Sequence, residues 1–222
     1  MKPSTLWLTL VVALIWFCSL VLLAGVSTPG YSQASQAISE LAVPGAPYSR
    51  LVRFGGFVPL GSIIVLFACV VARSHELLLP KFLVAALFWL TGVAITVAGI
   101  FPTDPGGQRN SLSGIVHAAA GLTLLIASSL TPFTVLFLLK DQPSPDLSFT
   151  VYTFLTGFAL IGLFLLMPNA VLPGLVEVHR EVLGESFSIW YRLHGMVQRT
   201  FMVIYFVWLG SFTHLYLREG RS

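Results

Sequence analysis

Apolar residues fall along this chain in six long blocks separated by short polar stretches. The blocks cover approximately residues 5–26, 53–72, 82–101, 114–139, 149–167 and 194–216. A helix of about 20 mainly apolar residues crosses roughly 30 Å of hydrocarbon, and every block meets that length. Because backbone polar groups in a bilayer must be satisfied inside the segment, spans of this kind are helical. The pattern therefore predicts an all-α polytopic membrane protein, a six-transmembrane-helix bundle forming one integral membrane domain over residues 1–222. The first block exceeds the ~7–15 apolar residues of a signal-peptide core and lacks a convincing small-x-small cleavage site, so it reads as an uncleaved span.

The polar stretches divide into two kinds. RSHELLLPK and KDQPSPDL are short, with Pro and Asp residues that stop and restart helices. On the opposite side lie longer loops. STPGYSQASQAISELAVPGAPYSR holds a Ser-capped segment from about Ser32 to Leu41, then a Pro-Gly-Ala-Pro turn. The loop from Pro168 to Tyr191 contains GLVEVHREVLGES, where Leu175, Val178 and Val182 recur at helical spacing, predicting a short amphipathic outer-loop helix lying on the membrane surface. Glu177, Glu181 and Glu185 stack on its other side with Arg180 beside them, a solvated face before it is a cation site. No convincing repeat relates residues 1–101 to 114–216, which weakens a transporter reading.

Composition agrees with the pattern. Hydrophobic residues make up 56% of the chain and charged residues 9%, with a mean hydropathy of +0.87. Ordinary soluble domains carry roughly 25% charged residues, and disordered chains combine low hydrophobicity with high net charge, so both classes are excluded. The 12 basic and 9 acidic residues leave a net charge of +3, and no basic cluster exists to hold nucleic acid. Cys18 and Cys69 each sit inside an apolar run, where a thiol acts as a small hydrophobe. The basic residues divide evenly between the two sides of the membrane, so the positive-inside rule casts no vote. The inner basic residues nevertheless lie in short connectors and tails, and on that ground both termini are expected to be cytoplasmic.

Ionisable groups inside or at the edge of a span are costly and mark candidate sites. Arg53, His117, His194 and Arg199 qualify, and Asp104 and Glu40 fall at the same depth on neighbouring segments. Ser113 lies one turn before His117, so their side chains point the same way. Gly114, Ala118 and Gly121 form a small-residue strip that would admit a close neighbour. His117 reads equally as a neutral imidazole bonded to a neighbouring carbonyl and as a ligand-facing group. The shared depth predicts an outward-facing polar pocket of Glu40, Asp104, His117, His194 and Arg199. A lipid headgroup or small polar molecule is its expected ligand, with Arg199 on anionic oxygen and Asp104 orienting Arg199 or His117. A haem b between His117 and His194 is a lesser alternative.

At ISELAVPGAPYSRL, then FPTDPGG followed by the span-opening His117, then LHGMVQR, the chain resembles a bacterial multi-pass membrane family, domain-of-unknown-function family 998. The likeness runs over essentially the whole chain. It implies a six-helix bundle in a bacterial inner membrane with its polar motifs grouped on one side, and it brings no established activity. Where that family often has Glu-Arg near the start of the last span, this chain has Gln198-Arg199. Ser113-x-x-x-His117 with Asp104 is also similar to elements of the alkaline ceramidase and progestin/adiponectin receptor superfamily. That likeness implies a metal-dependent lipid hydrolase with zinc on Asp104, His117 and His194, although Gln198 stands where the superfamily's second paired histidine would be. No specific catalytic motif decides whether the chain is an enzyme. Membrane lipids are the expected partners, and a non-catalytic accessory role beside other membrane protein subunits is the remaining alternative.

Overall fold

The computed structural model describes residues 3–73, 79–140, 146–167 and 186–219. Its long helices are α1 (Pro3–Ser27), α2 (Leu51–Ala72), α3 (Leu79–Ile100), α4 (Leu112–Lys140), α5 (Leu147–Leu165) and α6 (Ser186–Glu219). Short 3-10 turns at Ile38–Ala42 and Pro105–Gly107 lie in the connections, and no strand occurs among the described residues. The helices α1 to α5 are long and apolar enough to cross a membrane. α6 occupies the sixth expected position and carries Arg192, His194, Gln198 and Arg199 in its first half. The chain is an all-α polytopic membrane protein. The amphipathic piece expected within 168–191 falls mostly outside the described residues, as do His75, His179 and the Glu177–Glu181–Glu185 ridge.

Each helix buries one face and leaves another apolar face exposed. On α1, Leu6, Leu10, Leu14, Phe17, Val21 and Ala24 recur at three- and four-residue spacing and are all buried. Leu8, Ile15, Leu23 and Val26 on its other faces are more than half exposed, at 55% to 67%. A helix apolar all round is stable in that position only where lipid covers the exposed side. Inside the bundle an aromatic ladder of Phe67, Phe88, Trp208 and Phe212 joins α2, α3 and α6. Trp208 is fully buried and donates to the Thr153 hydroxyl of α5 at 3.1 Å. Gly157 of α5 lies so close to the Phe133 ring that an added Cβ would stand 2.7 Å from it.

On the small-residue strip of Gly114, Ala118 and Gly121, a Cβ at Gly114 would stand 2.2 Å from Asp104 Oδ2 and 3.1 Å from the Gln108 carbonyl oxygen, both in the connection before α4. A Cβ on Gly121 would meet nothing within 4 Å. Instead α2 and α3 cross at Gly61 and Gly92, where a Cβ on Gly61 would stand 2.4 Å from the Gly92 carbonyl oxygen and one on Gly92 2.7 Å from that of Gly61. Only glycine on both helices lets the backbones meet there.

α2 opens with a π-helical turn over Leu51–Phe57 before the α-helical Val58–Ala72. Pro59 has no N–H and cannot supply the helical donor to the Gly55 carbonyl four residues back. The Trp16 indole of α1 supplies it instead, at 2.8 Å. The first and last helices also meet: Trp7 Nε1 donates to the Gly210 carbonyl at 3.2 Å, and its ring lies 5.1 Å from that of His214. The start of α1 and the end of α6 therefore share one end of the bundle, and the connections at 28–50 and 101–111 share the other.

Candidate functional site

At the loop-rich end, α3 finishes with four carbonyls that no intrahelical N–H reaches. Two side chains from neighbouring helices satisfy them. Arg53 of α2 donates from Nε to the Gly99 oxygen at 2.9 Å and from Nη2 to that of Ile100 at 2.8 Å. His117 of α4 donates from Nδ1 to the oxygens of Ala98 at 3.1 Å and Phe101 at 2.9 Å. Carbonyl oxygens only accept, so Nδ1 carries the proton. The Arg53 cation also complements the negative end of the α3 dipole. His117 thus takes the carbonyl-bonded role, and Ser113 binds the same region through the Pro102 oxygen at 2.8 Å.

Asp104 closes the α3–α4 connection. Its carboxylate accepts from the Asn110 and Ser111 amides, both at 2.8 Å, and from the Ser111 hydroxyl at 2.6 Å. A carboxylate at a helix N-terminus meets both the free N–H groups and the positive end of the dipole. The Ser111 hydroxyl and amide, joined by the Asn110 amide, hold the carboxyl below its ordinary range. Asp104 therefore does not orient Arg199 or His117; the local helix start claims its oxygens.

Arg199 is positioned by the first long loop. Nη1 donates to the carbonyls of Gly195 and Gln36, both at 2.9 Å, and Nη2 donates to the Tyr31 hydroxyl. Tyr31 in turn donates to the Ala37 oxygen at 2.9 Å. Burial pushes the Tyr31 phenol up from its usual range, and the Arg199 charge opposes this in part. The phenol remains protonated, able to accept from Arg199 while donating to Ala37. The rest of the loop is equally knit. Glu40 accepts from the Ala37 amide at 2.9 Å and from Gln36 Nε2 at 3.0 Å, while Gln36 Oε1 accepts from the Ser32 amide at 2.7 Å.

LHGMVQR is the segment on which this loop rests. Gln198 Oε1 accepts from the Ile38 amide at 2.8 Å, and the Met196 amide lies 3.0 Å from the Ala34 oxygen. A Cβ on Gly195 would stand 2.4, 2.8 and 2.9 Å from the carbonyl oxygens of Gln36, Gln33 and Ala34. The Ile38–Ala42 turn also touches Pro105–Gly107, so the three motif-bearing segments gather at one end of the bundle. A family profile described as a protein of unknown function, DUF998, matches residues 11–214. The chain belongs to the DUF998 family. No curated protein and no solved structure matches it. Within this DUF998 chain, the Gln-Arg pair has a definite structural use: Gln198 holds the loop backbone and Arg199 reaches past it to Gln36 and Tyr31.

The five predicted site residues do not form one cluster of free polar groups. Glu40 and Arg199 belong to the same loop–α6 assembly, whereas Asp104 and His117 each serve a helix end of the α3–α4 hairpin. His194 lies partly buried beside Gly195. Among the described residues no group of three or more His, Cys, Asp and Glu is placed to hold a metal ion. The zinc set of Asp104, His117 and His194 is therefore not assembled, and His117 Nδ1 is already bonded to α3. Tyr31, Gln33 and Gln36 went unnoticed in the sequence because ordinary loop residues acquire their role only from what α6 brings against them. The glycine inside LHGMVQR was the one available signal.

Proposed function

We propose that this membrane protein binds the anionic headgroup of a lipid at its loop-rich end, with Arg199 as the binding cation. The observation that supports this is the buried Arg199 Nε, which has no hydrogen-bond partner. Nor does any carboxylate among the described residues pair with this guanidinium. Of its five N–H donors, Nη1 directs bonds to two carbonyls and Nη2 one to Tyr31. Nε–H and one Nη2–H remain, and a planar guanidinium suits two oxygens of a phosphate or carboxylate. A cation held inside protein without a counter-ion is costly, so an anion at this position stabilises the assembly. Asp104 and Glu40 are bonded within their own turns and His117 to the end of α3, which narrows the site to Arg199 and the Tyr31–Gln36 loop. In this reading the loop-rich end faces outward from a bacterial inner membrane.

The test is gentle purification followed by mass spectrometry of the retained lipids. Wild-type protein is expected to hold anionic phospholipid in excess of its share of the membrane. Arg199→Gln should bring retention down to that share, and Arg199→Lys should restore part of it. Equal retention in all three, with the loop amides still protected from exchange in Arg199→Gln, would overturn the reading.

A further inference from the structure

α4 starts at the loop-rich end, so its last turn and the start of α5 lie at the opposite end, with the start of α1 and the end of α6. Between α4 and α5 there lies a short apolar groove of about 350 Å³. Its walls are Leu136, Leu139 and Lys140 of α4 and Thr150, Val151 and Phe154 of α5. The two helices run antiparallel, so Lys140 stands level with Thr150 and Leu136 with Phe154, about 6 Å further along at 1.5 Å per residue. Val151 and Phe154 are each 48% exposed, so the groove opens on a face that lipid covers.

Helix length puts this groove at the edge of the hydrocarbon. The 19 residues of α5 make about 28 Å of helix, close to the roughly 30 Å of a bilayer's apolar core. Its first turn therefore lies at one boundary, and Thr150 one turn inside it. Lys140 ends α4 and is the one charged residue lining the groove. Its methylene stem walls an apolar space while the ammonium extends to headgroup level. No hydrogen bond or ion pair engages that ammonium among the described residues. The start of α5 is already capped: the Asp146 carboxylate accepts from the Phe149 amide at 3.1 Å, and the Asp146 carbonyl accepts from the Thr150 hydroxyl at 2.9 Å. Lys140 is thus what this end of the hairpin offers an anion.

We propose that the groove seats the glycerol end of one acyl chain of a phospholipid whose phosphate pairs with Lys140. This is a second lipid site, at the opposite end of the bundle from Arg199, and it stands independently of the headgroup reading above. Charge selects the occupant. An apolar chain topped by a phosphate matches the walls and the cation at their rim together, whereas a neutral diacylglycerol matches the walls alone.

The test uses the full-length protein in nanodiscs with a phosphatidylglycerol that carries a diazirine near the carboxyl end of one chain. After photolysis, peptide mass spectrometry should find label in residues 136–140 and 150–154, several-fold above that left by a diacylglycerol with the same chain. Lys140→Gln should lower the phospholipid's labelling there about fivefold, the worth of one lysine at an anionic surface. Lys140→Arg should keep it. Val151→Phe puts a larger side chain into the groove and should lower labelling by both lipids. Because the label records position, lipid held at Arg199 does not contribute, and Arg199→Gln should leave the pattern unchanged. Equal labelling by the two lipids in wild-type protein, or a preference that survives Lys140→Gln, would overturn the pairing with Lys140. Labelling unchanged in Val151→Phe would overturn the seat of the chain.

Discussion

Replacing Gly195 by alanine sets two physical effects against each other. Alanine in a helix interior is favoured over glycine by about 1 kcal/mol, so local propensity predicts stabilisation. The new methyl, however, would stand 2.4, 2.8 and 2.9 Å from three backbone carbonyl oxygens of the first loop. Backbone cannot swing aside as a long side chain can, and overpacking of this kind costs about 1–3 kcal/mol. Escape by detaching the loop is no cheaper. It forfeits the charge-assisted Arg199–Gln36 bond, at about 1.5–3 kcal/mol, and the Ile38–Gln198 bond, at about 1 kcal/mol. The propensity gain is the same with the loop docked or detached, so it cancels from loop opening, and strain in the middle of its range leaves the docked loop about 2 kcal/mol less stable, or about thirtyfold more open. Hydrogen exchange at Tyr31–Ile38, measured on the protein in nanodiscs, should accelerate by about that factor while α2 and α3 keep their protection. Unchanged or slower exchange in the loop would refute the claim that Gly195 is the contact on which it seats.

Other consequences follow from the same bonds. The Asp104 carboxyl is held below its ordinary value of 3.8, so its contribution is complete above that value and fades as pH falls through the lowered one. In acid titrations followed by thermal unfolding, Asp104→Asn should flatten the loss of stability below about pH 4. Two hydroxyl deletions inside the bundle should differ in sign. Tyr205 is fully buried and its hydroxyl makes no hydrogen bond, so Tyr205→Phe should be neutral or stabilising in thermal unfolding. Thr153→Val instead leaves the Trp208 indole N–H unpaired and should cost about 1–3 kcal/mol.

The helices were legible in the sequence because span length and hydropathy are local quantities. The expected block 53–72 became Leu51–Ala72 and the block 82–101 became Leu79–Ile100. The gathering of the three polar motifs at one end was legible too, since alternating spans fix which loops share a side. What each motif bonds to was not. Equal depth suggested Asp104 as the partner of Arg199, but a carboxylate seven residues before Ser111 meets free amides of its own helix start first. The Arg53 and His117 bonds to the end of α3 depend on three helices meeting, and the pairing of Gly61 with Gly92 depends on one crossing point. Spacing within a single segment carries none of that information. The use of Trp16 at Gly55 was open to inference only once α1 lay beside α2, although Pro59 already marked a missing donor.

The most direct test of the account is whether a lipid phosphate lies against the Arg199 guanidinium. Solid-state NMR with ¹⁵N-labelled arginine and natural ³¹P in bilayers containing phosphatidylglycerol measures that contact through the dipolar coupling. A phosphate bound there dephases one Nε resonance, with that resonance absent from Arg199→Gln and the coupling retained in Asp104→Asn. An Arg199 Nε resonance that feels no phosphorus, in protein whose first loop is still docked on Gly195, would contradict it.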